Sequence, residues 1–292
     1  MTDLALPHRL LMATDLSVRS DRALARAAQL ANQWHAELTV VHALSPSVVA
    51  QRQRLDDTMP SWRRPQSWQS LVEHRLRADL ASVHVSAHAE VVVGSSAEVV
   101  LATAQRQSSS LIVLGHAKDD LLDRIQLGSL ADAVVRHSTV PVLNVRGRAH
   151  QPYQHVLVAT DFSACSAQAL RQAMGWFPHA QLTVFHTFIP PGARAVSHAE
   201  LQGSWGEHAQ AEMASFLSSN GLGPASDRAA NVLIEKGVPS EVLRDYLSFS
   251  DVDLVVLGSQ GRSGLSRILL GSQAEALLHA VDVDTLLIRP GE

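Results

Sequence analysis

The stretch Leu254 to Ser272, LVVLGSQGRSGLSRILLGS, holds residue types at a spacing that can bind an anion. It opens with Leu254, Val255, Val256 and Leu257, an apolar run short enough and β-branched enough to be a buried strand. Gly258 and Gly261 follow, then Gly271 and Ser272, just ahead of a helical pattern carried by Ala274, Leu277, Leu278 and Val281. Glycines let backbone N–H groups approach a phosphate without Cβ interference. A helix start adds free N–H donors and a partial positive charge. The chemistry is therefore binding rather than bond-making. No G-x-x-x-x-G-K-[ST] loop, no strand-following G-x-G-x-x-G and no G-x-S-x-G elbow occurs. No general base stands beside the glycines in the sequence, and hydrolysis of a nucleotide would need a positioned water and usually a metal.

The same landmarks occur twice. Residues 111–129, LIVLGHAKDDLLDRIQLGS, align with 254–272 at a constant offset of 143, with Gly115, Gly128 and Ser129 falling on Gly258, Gly271 and Ser272. HRLLMATDLS from His8 matches QHVLVATDFS from Gln154; LTVVHA (38–43) matches LTVFHT (182–187); Gly94 and Glu98 match Gly237 and Glu241. These landmarks, repeated in one order, imply a duplicated domain of about 145 residues. The copies differ in the loop. Where the second has Gly261 the first has Lys118, followed by Asp119 and Asp120. A Cβ and two carboxylates there disfavour phosphate, although a lysine can also bind it as a point charge.

The elements that must position these residues follow from periodicity. In the first copy the pattern predicts strands over Arg9–Ala13, Leu38–Ala43, Ala87–Val93, Leu111–Leu114 and Pro141–Val145. Helices are predicted over Arg19–Trp34, Trp68–Leu80, from Ser95 or Ser96 to Gln107, and over Leu130–Arg136. The second copy repeats the plan, with strands near 155–159, 182–187, 231–235, 253–257 and 284–288. Leu44–Pro65 and Ile189–Gly206, rich in Pro and Gly, read as irregular excursions, and Asn220–Pro224 as a further break. Gly147–Tyr153 reads as a linker between domains at 1–147 and 153–292. Strands alternating with helices give an α/β fold with parallel sheets covered on both faces.

Composition narrows the classes. The chain of 292 residues is 46% hydrophobic and 18% charged with net charge -4, which suits two soluble cores and gives no electrostatic footprint for nucleic acid or an anionic membrane. Arg52, Arg54, Arg63 and Arg64 are interleaved with Asp56 and Asp57. No apolar run is long enough to span a bilayer, and MTDLALPHRL does not read as a signal peptide, so a cytoplasmic location is expected. The one cysteine, Cys165, lies in the first turn of a predicted helix and reads as a small packed residue. No metal site is expected from the 15 histidines: His84 and His88 straddle a helix-to-strand change, and there is no Cys pair and no H-E-x-x-H. His42 and His186 occupy equivalent places in the second strand of each copy, which points to a shared structural role. Trp62, Trp68, Trp176 and Trp205 share no spacing that assigns them one.

The spacing G-x2-G-x9-G-S after a buried strand, with A-T-D-[LF]-S in the first strand–helix turn, resembles the universal stress protein family, over nearly the whole chain as two tandem copies. The resemblance implies two tandem open parallel five-stranded sheets of the adenine nucleotide alpha hydrolase type, strand order 3-2-1-4-5, packed as an intrachain pseudo-dimer. Pairing through the fifth strand, common in the family, would make 141–145 and 284–288 the contact edges. It also implies ATP or another adenine nucleotide, with Mg2+ as an accompanying ion, at the switch point of the sheet. The family contacts fall on Asp161 and the backbone of Thr187 for the adenine, on Gly237, Val238 and Pro239 beside the nucleoside, and on Gly258, Gly261, Gly271 and Ser272 for ribose and phosphates. A weaker first-copy site would use Asp15, Ala43, Gly115, Gly128 and Ser129. The function expected is nucleotide-gated, stress-linked regulation through an unidentified protein partner, further homodimerisation remaining open. Two other readings stay open: a slow ATPase or phosphotransferase, and a scaffold without ligand.

Overall fold

A computed structural model of the chain describes residues 5–17, 20–57, 60, 62, 67–81, 86–115, 128–189, 198–223, 226, 228–261 and 270–290. The chain divides into two compact units, with the boundary between Pro152 and Tyr153. In the first, β1 (Arg9–Thr14), β2 (Glu37–Leu44), β3 (Ala87–Val93), β4 (Leu111–Gly115) and β5 (Val142–Val145) alternate with α1 (Ser20–Trp34), α2 (Pro46–Asp57), α3 (Trp68–Leu80), α4 (Ser96–Arg106) and α5 (Ser129–His137). Its strands are ordered β3-β2-β1-β4-β5 and all pair in parallel. The second unit runs β6 (His155–Ala159), α6 (Ala164–Trp176), β7 (Gln181–Phe188), α7 (His198–Ser219), β8 (Asn231–Lys236), α8 (Pro239–Ser248), β9 (Leu254–Gly258), α9 (Ser272–Ala280) and β10 (Asp284–Ile288). Its order is the same, β8-β7-β6-β9-β10, again parallel. Among the described residues no helix is long and apolar enough to cross a membrane.

The central strands are apolar throughout because helices cover both of their faces. Leu10, Leu11 and Met12 of β1 and Leu254 to Leu257 of β9 are all but inaccessible to water. The crossover helices use small residues at helical spacing, Ala23, Ala27 and Ala31 on α1 and Ala169 and Ala173 on α6, which lets each helix lie close to the sheet.

Both copies build the turn after their first strand in one way. Thr14 Oγ1 accepts from Leu16 N at 3.0 Å, and Thr160 Oγ1 from Phe162 N at 2.9 Å. Asp15 Oδ1 accepts from Ser17 N, and Asp161 Oδ1 from Ser163 N. These bonds hold Leu16 at φ 60° and Phe162 at φ 63°, a region costly for bulky residues. Phe162 also packs with its ring centroid 4.2 Å from that of His186 and 5.5 Å from that of Phe216 on α7. The other end of each first strand is tied down by a side chain just before the fourth: Ser110 Oγ accepts from His8 N and Arg9 N, and Asp253 from Gln154 N and His155 N.

The structure differs from the sequence-based expectation in two places. Leu44–Pro65 is not irregular throughout, since α2 occupies Pro46–Asp57. Proline is tolerated in a first helical turn because its missing N–H would have had no intrahelical partner, so Pro46 starts the helix instead of breaking it. The exposed α2 is tied down by Arg52, whose guanidinium lies 4.6 Å over the ring of Trp68. In the second unit α7 begins at His198, so Gly203 and Gly206 lie inside a helix. Tyr153, at the linker end, is buried: its hydroxyl donates to Asp284 Oδ2 at 2.6 Å and its ring meets Phe177 edge-on. His84, Arg63, Arg64, Lys118, Asp119 and Asp120 lie outside the described residues.

Candidate functional site

Parallel strands all end at one edge, so the loops after β6, β7 and β9 and the start of α9 converge in the second unit. They enclose a cavity of about 390 Å³. Of the residues singled out from the sequence, Asp161, Thr187, Pro239, Gly258, Gly261, Gly271 and Ser272 line it. Gly237 and Val238 lie just before Pro239 and are not part of the wall. Gly237 has a local role: its φ is 146°, and a Cβ there would come within 2.8 Å of Val242 Cγ2 on α8. Gly94 stands in the same relation to Val99 of the first unit, also at 2.8 Å.

Two of the cradle glycines have close neighbours opposite them. A Cβ on Gly261 would sit 2.8 Å from Asp161 Oδ2, so any side chain there would fill the space between loop and carboxylate. A Cβ on Gly258 would meet the backbone C and Sγ of Cys165 and the amide N of Ser166, each at 3.1 Å. Gly258 thus lets the end of β9 rest directly on the first turn of α6. Cys165 itself is buried there, its Sγ 3.7 Å from the carbonyl oxygen of Ile288.

The loop is closed by two further bonds. Gly271 N donates to the Ser259 carbonyl at 2.9 Å, and Ser163 Oγ to the Gln260 carbonyl at 3.4 Å. Gly271 is the N-cap of α9 and provides no side-chain cap. Among the described residues no side chain caps the first-turn N–H groups of α9, which lie at the positive end of the helix dipole.

The rest of the wall was not picked out from the sequence. Thr160 and Ser166 add hydroxyls, bonded to each other at 2.9 Å; Gln260 and Gln273 add amides; Ala159, Phe185, Leu257 and Leu277 add an apolar side. The apolar members are strand-end and helix residues, and their position next to the glycines was the available signal. His186 lines the cavity too, and its Nδ1 donates to the Thr160 carbonyl at 2.9 Å. His42 Nδ1 does the same to Thr14 O at 2.8 Å. The paired histidines thus share a role, pinning the second strand to the turn after the first.

The first copy uses its aspartate differently. Burial raises the carboxyl pKa of Asp15, but hydrogen bonds from Ser17 and Ser20 outweigh it, and the net shift is downward. Asp15 Oδ1 accepts from the hydroxyls of Ser17 and Ser20, both at 2.6 Å, and from Ser17 N at 2.9 Å. In the second copy Ser166, the counterpart of Ser20, donates instead to the Ser163 carbonyl and bonds Thr160 Oγ1. Ala43 lies on β2, Gly115 ends β4, and Gly128 is the N-cap of α5, which Ser129 opens.

Residues 7–146 and 152–289 each match the sequence pattern of the universal stress protein family. The chain belongs to that family. A universal stress protein of Mycolicibacterium smegmatis is 25% identical over 99% of this chain and 100% of its own length. One of Mycobacterium tuberculosis is 28% identical over 97% of each chain. Among solved structures, a universal stress protein from Archaeoglobus fulgidus superposes with a TM-score of 0.68 at 19% identity, over 97% of this chain and 98% of the other, a likeness of fold.

Proposed function

We propose that this universal stress protein is a regulatory protein that binds ATP, or another adenine nucleotide, in its second unit. The observation that carries the reading is the cavity in which Asp161, the cradle glycines and the uncapped start of α9 meet. Its apolar side suits a base, Asp161 and Thr187 offer polar groups to the base edge, and Gly258, Gly261, Gly271 and Ser272 offer backbone and hydroxyl donors to ribose and phosphates. Gly237 and Val238 then act by holding Pro239 against the nucleoside. Mg2+ accompanies the triphosphate.

The first unit is the weaker site. In it Ser17 and Ser20 occupy Oδ1 of Asp15, and Lys118 replaces the glycine that faces the aspartate in the other copy. Occupancy of the second unit alters the surface around the cavity mouth, and a protein partner reads that change.

Thermal melting of the full chain with ATP, ADP, AMP and adenosine tests this reading. Each bound ligand should raise the melting temperature by mass action. Gly261→Lys should abolish the shift without lowering the melting temperature of the free chain. No shift with any adenine compound at millimolar concentration would leave the ligand-free scaffold.

A further inference from the structure

A cavity of about 700 Å³ in the first unit lies at the opposite ends of its strands from the loops discussed above, and most of the residues that line it are polar or charged. Parallel register builds it. Arg9 opens β1 and stands opposite Glu37, which opens β2, while Thr39 of β2 stands opposite His88 of β3. Arg106, from the last turn of α4, and His35, just before β2, complete the rim.

The two guanidinium groups are oriented but not used up. Arg9 donates through Nε to Glu37 Oε2 at 3.3 Å and through Nη1 to the Gln107 carbonyl at 3.5 Å, and its Nη2 has no partner among the described residues. Arg106 donates through Nη2 to Glu90 and Thr103, leaving Nε and Nη1 without a partner among the described residues. Glu90 is itself held by Gln107 Nε2 at 2.8 Å. Glu37 is loosely placed, with its side chain 80% exposed, so its pair with Arg9 is one that a better acceptor displaces.

The fold does not require this arrangement. In the second copy the place of Arg9 is taken by His155, buried and bonded to Thr183, that of Glu37 by Gln181, and that of Arg106 by the exposed Phe249. The carboxylates of Asp251 and Asp253 stand where the first copy has Ser108 and Ser110. Arginine forks with donor atoms left over, two imidazoles and a hydroxyl around an open cavity of small-molecule size match the acceptor geometry of a phosphate group.

We infer that the first unit binds a phosphate-bearing small molecule between Arg9, Arg106, His35 and His88, at a site separate from the cavity of the second unit. The guanidinium forks grip the phosphate oxygens while Glu90 and Gln107 hold Arg106 in place.

The test is NMR titration of the full chain with inorganic phosphate against sodium chloride at matched ionic strength, following the arginine Nε–H and histidine ring signals. Phosphate should give saturable shifts at Arg9, Arg106, His35 and His88 that chloride does not. Arg9→Gln with Arg106→Gln should weaken the affinity at least about tenfold, the loss expected when hydrogen bonds to a charged group go. Should the double variant melt early, His88→Gln, at an exposed strand position, takes its place and must weaken binding. Shifts that never saturate, that chloride reproduces or that survive the variants would overturn the inference. So would binding of an acidic peptide with no response to phosphate.

Discussion

Gly258 and Gly261 are both glycines for lack of room, but their neighbours differ and so do the consequences. A Cβ on Gly258 runs into backbone and the Cys165 sulfur at 3.1 Å, none of which can step aside cheaply. Gly258→Ala should therefore destabilise the second unit by about 1–3 kcal/mol, the cost of overpacking, measurable by denaturant unfolding. At Gly261 the neighbour is a carboxylate oxygen at 2.8 Å, the far end of a side chain that can turn. Gly261→Lys should leave stability nearly unchanged and remove nucleotide, because the added side chain occupies the ligand's place. A stable Gly258→Ala protein, or a Gly261→Lys protein that still binds, would contradict this division. Asp15 and Asp161 sit in matching turns, where Ser20 Oγ donates to Asp15 Oδ1 and its counterpart Ser166 Oγ donates to the Ser163 carbonyl.

Two elements of the second unit rest on polar groups that packing has partly buried. Arg228 closes the end of α6, donating to the carbonyls of Met174 at 2.7 Å, Phe177 at 2.9 Å and Ala180 at 3.3 Å, where a cation also complements the helix dipole. Arg228→Met should cost about 1.5–3 kcal/mol in unfolding experiments, the range for hydrogen bonds to a charged group.

At the start of β6, burial lowers the pKa of His155 against the opposing pull of Asp253 and Asp251. Folded protein thus keeps His155 neutral at a pH where the unfolded chain has protonated it. This contribution to stability is complete above the ordinary histidine pKa of about 6.5 and is lost as pH falls through the lowered folded value. Melting curves between neutral and mildly acidic pH should show that fall, and His155→Phe should flatten it.

At this scale the strands were legible because central parallel strands are apolar on both faces, as Leu254 to Leu257 show. Helix α2 was not, because Pro46 reads as a breaker unless one knows it falls at N1. The cradle glycines and Asp161 were legible as a motif within one loop and one turn. The polar cavity was not, because Arg9, Glu37, His88 and Arg106 meet only through strand register and the return of α4.

At the scale of the molecule, one domain plan is used twice with different chemistry at equivalent places. Duplication leaves each copy free to diverge from the other, and in the sequence Lys118 stands where the second copy has Gly261. The same freedom explains why arginines line the strand starts of the first unit and a buried histidine the second. The central claim is therefore one adenine nucleotide per chain, held by the second unit. It is tested most directly by calorimetric titration of nucleotide-free protein with ATP, in the Arg9→Gln/Arg106→Gln background so that the polar cavity adds no phosphate binding. The account predicts a single saturable site per chain that disappears when Gly261→Lys is added. Two equivalent sites, or heat that survives Gly261→Lys, would contradict it.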